Sequence, residues 1–196
     1  MPTKTDHYEN FLRYTGFADE IREFLPDFRS ACERLGITSE DVAFAVEEWL
    51  PAQFDIELEG VRKALGCIVR EGVDLTKAPD YKKRGTRIVY GILPAMSVYY
   101  YALKLTAPDR VYVGFPDLFL VAFLQMFFHK LNPVLEEAEK DGMSYGCRHC
   151  ALNKSRYTGR KRGILPSPDV SWIWGFVCDE GPKTDEFIRE YFDPEW

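Results

Sequence analysis

Long apolar runs are missing from this sequence. The most apolar stretch, residues 118–128, is interrupted by Gln125. It falls well short of the ~20 residues a membrane-spanning helix needs, so it is expected to be a buried helix, and no membrane partner is expected. No apolar core follows the opening Met1-Pro2-Thr3-Lys4-Thr5-Asp6-His7, so a secretory signal is not expected and the reducing cytoplasm is the expected compartment. Cysteine is scarce and odd in number: 5 in 196 residues, which excludes a disulfide-built scaffold. Positive charge is in the minority, 25 Lys+Arg against 31 Asp+Glu for a net charge of −6. That speaks against a general nucleic-acid coat, and no nucleic-acid partner is expected. G-x-G-x-x-G, P-loop, H-E-x-x-H and G-x-S-x-G motifs are all absent, which removes the positive case for a nucleotide fingerprint, a zincin or a serine hydrolase. There is no internal repeat and no low-complexity tract.

Apolar and aromatic residues are plentiful, at 46% and 15%. That is too many for a disordered chain and enough for one sizeable core. Two regions are expected: a helical N-terminal segment over residues 1–84 and an α/β domain over 85–196. In the first, Thr38-Ser39-Glu40-Asp41 has capping-box form ahead of Val42, Val46 and Trp49, which predicts a helix start. Pro51 is expected to interrupt it. Phe54, Leu58, Val61, Leu65 and Ile68 recur at helical spacing and are expected to share one buried face. Gly72 and residues 77–80 are expected to end that helix, with Lys82-Lys83-Arg84-Gly85 as a turn.

After Thr86 the period changes. Residues 88–93, 111–113 and 170–177 read as strands, the last with Trp172, Trp174 and Phe176 alternating. Pro94, Pro116 and Pro182 stand where helices begin, and the helix from Pro116 is expected to run to about Glu139. Alternating strands and helices predict an open, mostly parallel, Rossmann- or flavodoxin-like sheet. Such sheets bind ligands outside the carboxyl ends of their strands.

The cysteines divide into two groups. Cys32 and Cys67 lie in helical patterns and are expected to pack as small core residues. Cys147-Arg148-His149-Cys150 forms a C-x-x-C in a polar loop, and Cys178 follows the third strand. Thiolates at loop–helix junctions are good metal ligands. Zinc needs four ligands and would have to recruit His149 or another residue, whereas an iron–sulfur cluster accepts cysteine-dominated ligation at irregular spacing. Both metals remain open on spacing alone. His129 is expected to serve as a helix-end histidine. Between the candidate ligands, residues 148–163 carry Arg148, Lys154, Arg156, Arg160, Lys161 and Arg162 and no acid. Such a segment reads as a solvated loop, as an anion site for coenzyme phosphates, or as a docking surface for an acidic partner.

The C-terminal stretch carries Cys150-Ala-Leu-Asn-Lys154 followed by Gly159, then Gly163-Ile-Leu-Pro166-Ser-Pro168-Asp169-Val170, then Cys178-Asp179-Glu-Gly-Pro-Lys183-Thr-Asp-Glu186. It resembles the 2-hydroxyacyl-CoA dehydratase (D component) / benzoyl-CoA reductase family, over about residues 85–196. The Cys-Asp-x-x-x-Lys element is its most specific part. Where that family has Pro-x-Glu after its first strand, this chain has Pro94-Ala95-Met96-Ser97. The resemblance implies one α/β half of a two-half, Rossmann-like subunit, with cysteines holding a [4Fe–4S] cluster beside an acyl-CoA or aromatic acyl-CoA substrate. An ATP-dependent activator would deliver one electron at low potential, and a second subunit or second half would complete the site. Mapped here, Cys147 or Cys150 and Cys178 would be ligands, with zinc as the alternative metal. His149, Asp179 and Lys183 would stand behind the ligands or cap the helix. Lys154, Arg156, Arg160, Lys161 and Arg162 would meet coenzyme phosphates. The expected function is an iron–sulfur subunit or domain reducing an acyl-CoA thioester by one electron, as a lyase or oxidoreductase of anaerobic metabolism. The alternative is a non-catalytic zinc- or cluster-binding accessory subunit.

Overall fold

The computed structural model describes residues 6–91, 97–143, 150–173 and 178–193. Among them the chain is mostly helical with a small parallel sheet, and none of the helices is long and apolar enough to cross a membrane. The chain divides into two compact units, one of residues 1–74 and 122–130, the other of residues 75–121 and 131–196.

The first unit is helical. It contains α1 (His7–Tyr14), α2 (Ile21–Leu35), α3 (Ser39–Phe44), a π-helical turn (Ala45–Trp49), α4 (Leu50–Gln53) and most of α5 (Glu59–Thr76). The capping box at Thr38 is present: its side chain accepts from the Asp41 N–H, and Asp41 accepts from the Thr38 N–H at 2.8 Å. Aromatic packing fills the core. Phe11 stacks on Phe28 at 4.8 Å between ring centroids and on Phe128 at 5.3 Å, both within the range where such pairs attract. Pro51 does not break the chain: residues 39–53 are continuously helical, with the π-helical turn directly before it, and the helix ends two residues later at Gln53.

Helix α5 differs from its sequence pattern. It starts after Leu58, and its buried residues include Leu65, Val69, Val73 and Leu75, while Leu58 and Cys67 are exposed. Cys67 is therefore not a core residue, whereas Cys32 is fully buried. Gly72 does not end the helix. A Cβ there would lie 2.5 Å from the Phe123 ring, so the glycine lets an aromatic side chain approach the backbone. Residues 78–83 form another short helix, α6 (Ala78–Lys83), so Lys82 and Lys83 are helical and only Arg84-Gly85 turns.

The second unit carries the sheet. Strands β1 (Arg87–Tyr90), β2 (Val111–Gly114) and β3 (Val170–Ser171) run parallel in the order β2-β1-β3. Tyr90 is in register with Gly114 on one side and Ser171 on the other. The β-branched run Ile88-Val89 is buried in the central strand, as expected of a strand paired on both edges. The strands are shorter than predicted: residues 91, 172 and 173 are described and lie outside them, while residues 92–93 and 174–177 lie outside the described residues, as do Pro94 to Met96.

Helix α7 (Ser97–Thr106) links β1 to β2, and α8 (Pro116–Val121) opens at Pro116 as anticipated. The helix does not continue to Glu139. It widens into a π-helical stretch (Ala122–Phe127) and stops at His129, whose φ is +55°. The chain resumes as α9 (Asn132–Lys140), then α10 (Ala151–Lys161) and, after β3, α11 (Glu180–Phe192). His129 thus ends a helix, with its ring 4.1 Å from that of Trp49 in edge geometry.

Candidate functional site

Helix α10 occupies most of the stretch that reads as a basic loop. Residues 153–159 are all buried, so a solvated loop is excluded. The reason is electrostatic pairing. Lys154 Nζ donates to Glu139 Oε1 at 2.6 Å. Arg156 Nη2 pairs with Asp185 and donates to Ser171 Oγ at 2.9 Å. Arg160 reaches Asp193 at 2.7 Å, Lys161 reaches Asp141 at 2.5 Å, and Arg162 reaches Glu137 at 2.7 Å. Each of these five candidate anion ligands therefore already holds a carboxylate of this chain. A coenzyme phosphate would have to displace it. Buried cations persist only when answered this way.

Two of the candidate metal ligands are described, and both are exposed free thiols. Cys150 is the N-cap of α10 and makes no side-chain capping hydrogen bond, so its sulfur is uncommitted to the cap. Cys178 stands immediately before Asp179, the N-cap of α11. The first turns of these two helices meet: Asn153 Nδ2 donates to the Glu180 carbonyl at 3.4 Å. The two thiols thus belong to adjoining helix starts. Asp179 pairs with Lys183 at 3.2 Å, and Lys183 also lies 3.6 Å from Glu180. Asp179 makes no side-chain capping hydrogen bond. Cys147, Arg148 and His149 lie outside the described residues. Among the described residues no three His, Cys, Asp or Glu side chains are grouped to hold a metal.

No family model, curated protein or solved structure matches this chain.

A buried polar layer at the carboxyl ends of the strands escapes sequence reading. Asp117 follows β2 by three residues and is buried, with one carboxyl oxygen making no hydrogen bond and Arg156 Nε at 3.8 Å. Burial pushes its carboxyl up to about 6, against the pull of Arg156. Ser171, the last residue of β3, donates to Asp185 at 2.9 Å, so Asp117, Arg156, Ser171 and Asp185 form one network around the guanidinium. An acid directly after a strand and a proline is the one signal in the sequence for Asp117. Asp185 and Asp193 look like ordinary polar positions of an amphipathic helix, and nothing local marks them.

The third strand is fixed by Asp169. Its N–H donates to the Ile88 carbonyl at 2.7 Å, and its carboxylate accepts from the Ile88 N–H at 2.7 Å. Lys82 and Arg87 each lie 3.3 Å from it. Burial acts to raise its pKa, but the Ile88 N–H and the two cations hold it below the usual carboxylate value. This clamp sets the strand that leads toward Cys178.

Proposed function

We propose that this chain is an iron–sulfur subunit or domain of the kind its C-terminal motifs resemble, built to pass one electron to an acyl-CoA or aromatic acyl-CoA thioester. The observation that carries the reading is the meeting of the α10 and α11 first turns, with an exposed, uncommitted thiol at each. The sheet order β2-β1-β3 also agrees with the start of a flavodoxin-like sheet, in which ligands lie at the β1/β3 switch point. Cys178 follows β3 in the sequence.

In this reading Cys150 and Cys178 would hold the cluster, with Cys147 as a further ligand and His149 beside it. The bound cluster supplies the one-electron chemistry. The Asp179–Lys183 pair would stand behind the ligands on the α11 side. A second half or second subunit completes the ligand set and the substrate site, and an ATP-dependent activator supplies the electron.

A second reading has a specific observation in its favour. The cations of α10 are each paired with the chain's own acids, which leaves little free charge for coenzyme phosphates and suits a non-catalytic, metal-stabilised accessory subunit. Anaerobic purification with iron and acid-labile sulfide analysis separates the readings. The cluster reading expects a brown, air-bleached protein whose iron is lost in Cys150→Ala and in Cys178→Ala. Stoichiometric zinc, with a melting temperature that collapses on chelation, would identify the accessory module. Colourless, iron-free protein after anaerobic reconstitution would overturn the cluster reading.

A further inference from the structure

Helix α7 is apolar on two sides. Its inner side packs on the sheet: Tyr100 is buried with Val89, Val113 and Phe115, and Leu103 packs against them. The outer side is where a surface helix carries its charges, and here it carries none. Val98, Tyr101, Ala102 and Leu105 fall at i, i+3, i+4 and i+7, the spacing of a helix-packing stripe. All four are exposed, with Tyr99 beside them. Exposure reaches 74% at Val98, 57% at Tyr99, 66% at Tyr101 and 80% at Leu105. The one charged residue of the helix is Lys104, whose ammonium lies over the Tyr100 ring, 4.4 Å from its centroid. At ~150–250 Å² for a whole large side chain, the four large residues leave roughly 500 Å² in water. An apolar patch of more than about a few hundred Å² marks an interaction surface.

We propose that the outer face of α7 is the interface of a homodimer, closed by α7 of a second copy of this chain. Two observations select a copy as the occupant. The first is area. A standard interface takes about 800 Å² from each partner, about 65% of it apolar in homodimers, and the stripe supplies that apolar share by itself. The second is charge. A neutral stripe offers nothing to a charged partner and is matched by one as neutral and apolar as itself. In an antiparallel two-fold pair, each Val98 faces the partner's Leu105 and the two copies of Ala102 meet near the axis. The small alanine side chain lets the helices reach the ~8–10 Å separation of packed pairs. The acidity of the chain does not oppose this pairing. The first unit has 9 Lys+Arg against 16 Asp+Glu, whereas the unit that contains α7 has 16 against 15. Two copies therefore meet through their near-neutral units.

Sedimentation velocity of the full chain under reductant, over about 1–100 μM, tests the proposal. Wild type is expected at twice the 22.7 kDa chain mass. Leu105→Glu and Tyr101→Glu each place a carboxylate in the apolar stripe and are expected to raise the dissociation constant at least about thirtyfold. Leu58→Glu changes an exposed leucine of the first unit and is expected to leave the dimer intact. Circular dichroism and a thermal melt check the fold of each variant. A wild type that stays monomeric throughout overturns the proposal and leaves the stripe to a different protein. A dimer that both α7 variants keep also overturns it, since the contact then lies elsewhere, a metal shared between thiols included. So does a dimer that Leu58→Glu dissociates as strongly as they do. If Tyr101→Glu fails to fold, Leu105→Glu decides, because that side chain is the most exposed of the stripe.

Discussion

Asp117 concentrates the cost of the second unit in one side chain. Its carboxyl is buried beside Arg156 with one oxygen unbonded, and its folded pKa of about 6 stands above the ordinary value of 3.8. An acid raised on folding binds its proton more tightly in the native state. Its contribution is therefore largest at low pH and is lost as pH rises from about 4 through about 6. Asp117→Asn is expected to remove that decline, so urea unfolding between pH 4 and 7 should show a flatter stability profile than wild type; an unchanged profile would contradict the assignment. Asp169 has the opposite sign. Its carboxylate is held below the ordinary value, so it stabilises above about pH 4 and that stabilisation is lost as pH falls through its folded pKa. Asp169→Asn is expected to cost about 1.5–3 kcal/mol at neutral pH, the usual worth of hydrogen bonds to a charged group. Chemical denaturation at pH 7 measures it.

At the scale of elements, helix α10 explains which parts of the fold are legible in the sequence. Strands β1 and β2 show as short β-branched runs, and α3 shows through its capping box, because each obeys a local rule. Helix α10 does not. Its buried residues include Asn153, Lys154, Ser155, Arg156 and Thr158, so no apolar period marks it. Its burial depends on acids contributed by α9, α11 and the segments beside them. Ion pairing, which is non-local, takes the place of hydrophobic patterning. Cys67 differs for another reason: the apolar spacing places the wrong face inward because the α5 stripe of Leu65, Val69 and Val73 competes with an equally regular one. Close approach supplies a second hidden constraint. A Cβ on Gly159 would stand 2.8 Å from Leu165 and 3.0 Å from Leu120. Gly159→Ala is therefore expected to lose about 1–3 kcal/mol through overpacking, despite alanine's better helix propensity. A thermal melt that rises instead would show that the neighbouring leucines yield freely.

For the whole molecule, the sequence conveys the broad plan of helices followed by a parallel sheet, but not how the chain divides. Residues 122–130 belong to the N-terminal unit although they lie far along the chain. Such a return is a long-range packing outcome that no local pattern announces. The candidate site is legible in part: the C-x-x-C and the later cysteine stand out by residue type, while the buried layer around Arg156 becomes visible only once the strands are aligned. We propose that Cys150 and Cys178, at the starts of adjoining helices, together bind one iron–sulfur cluster. Low-temperature electron paramagnetic resonance of the anaerobically reconstituted, dithionite-reduced chain tests it most directly, with wild type set beside the Cys150→Ser and Cys178→Ser variants. A reduced-cluster signal in wild type that is abolished or altered in shape by each substitution is the predicted result. No signal in wild type, or the same signal in all three proteins, would contradict the claim.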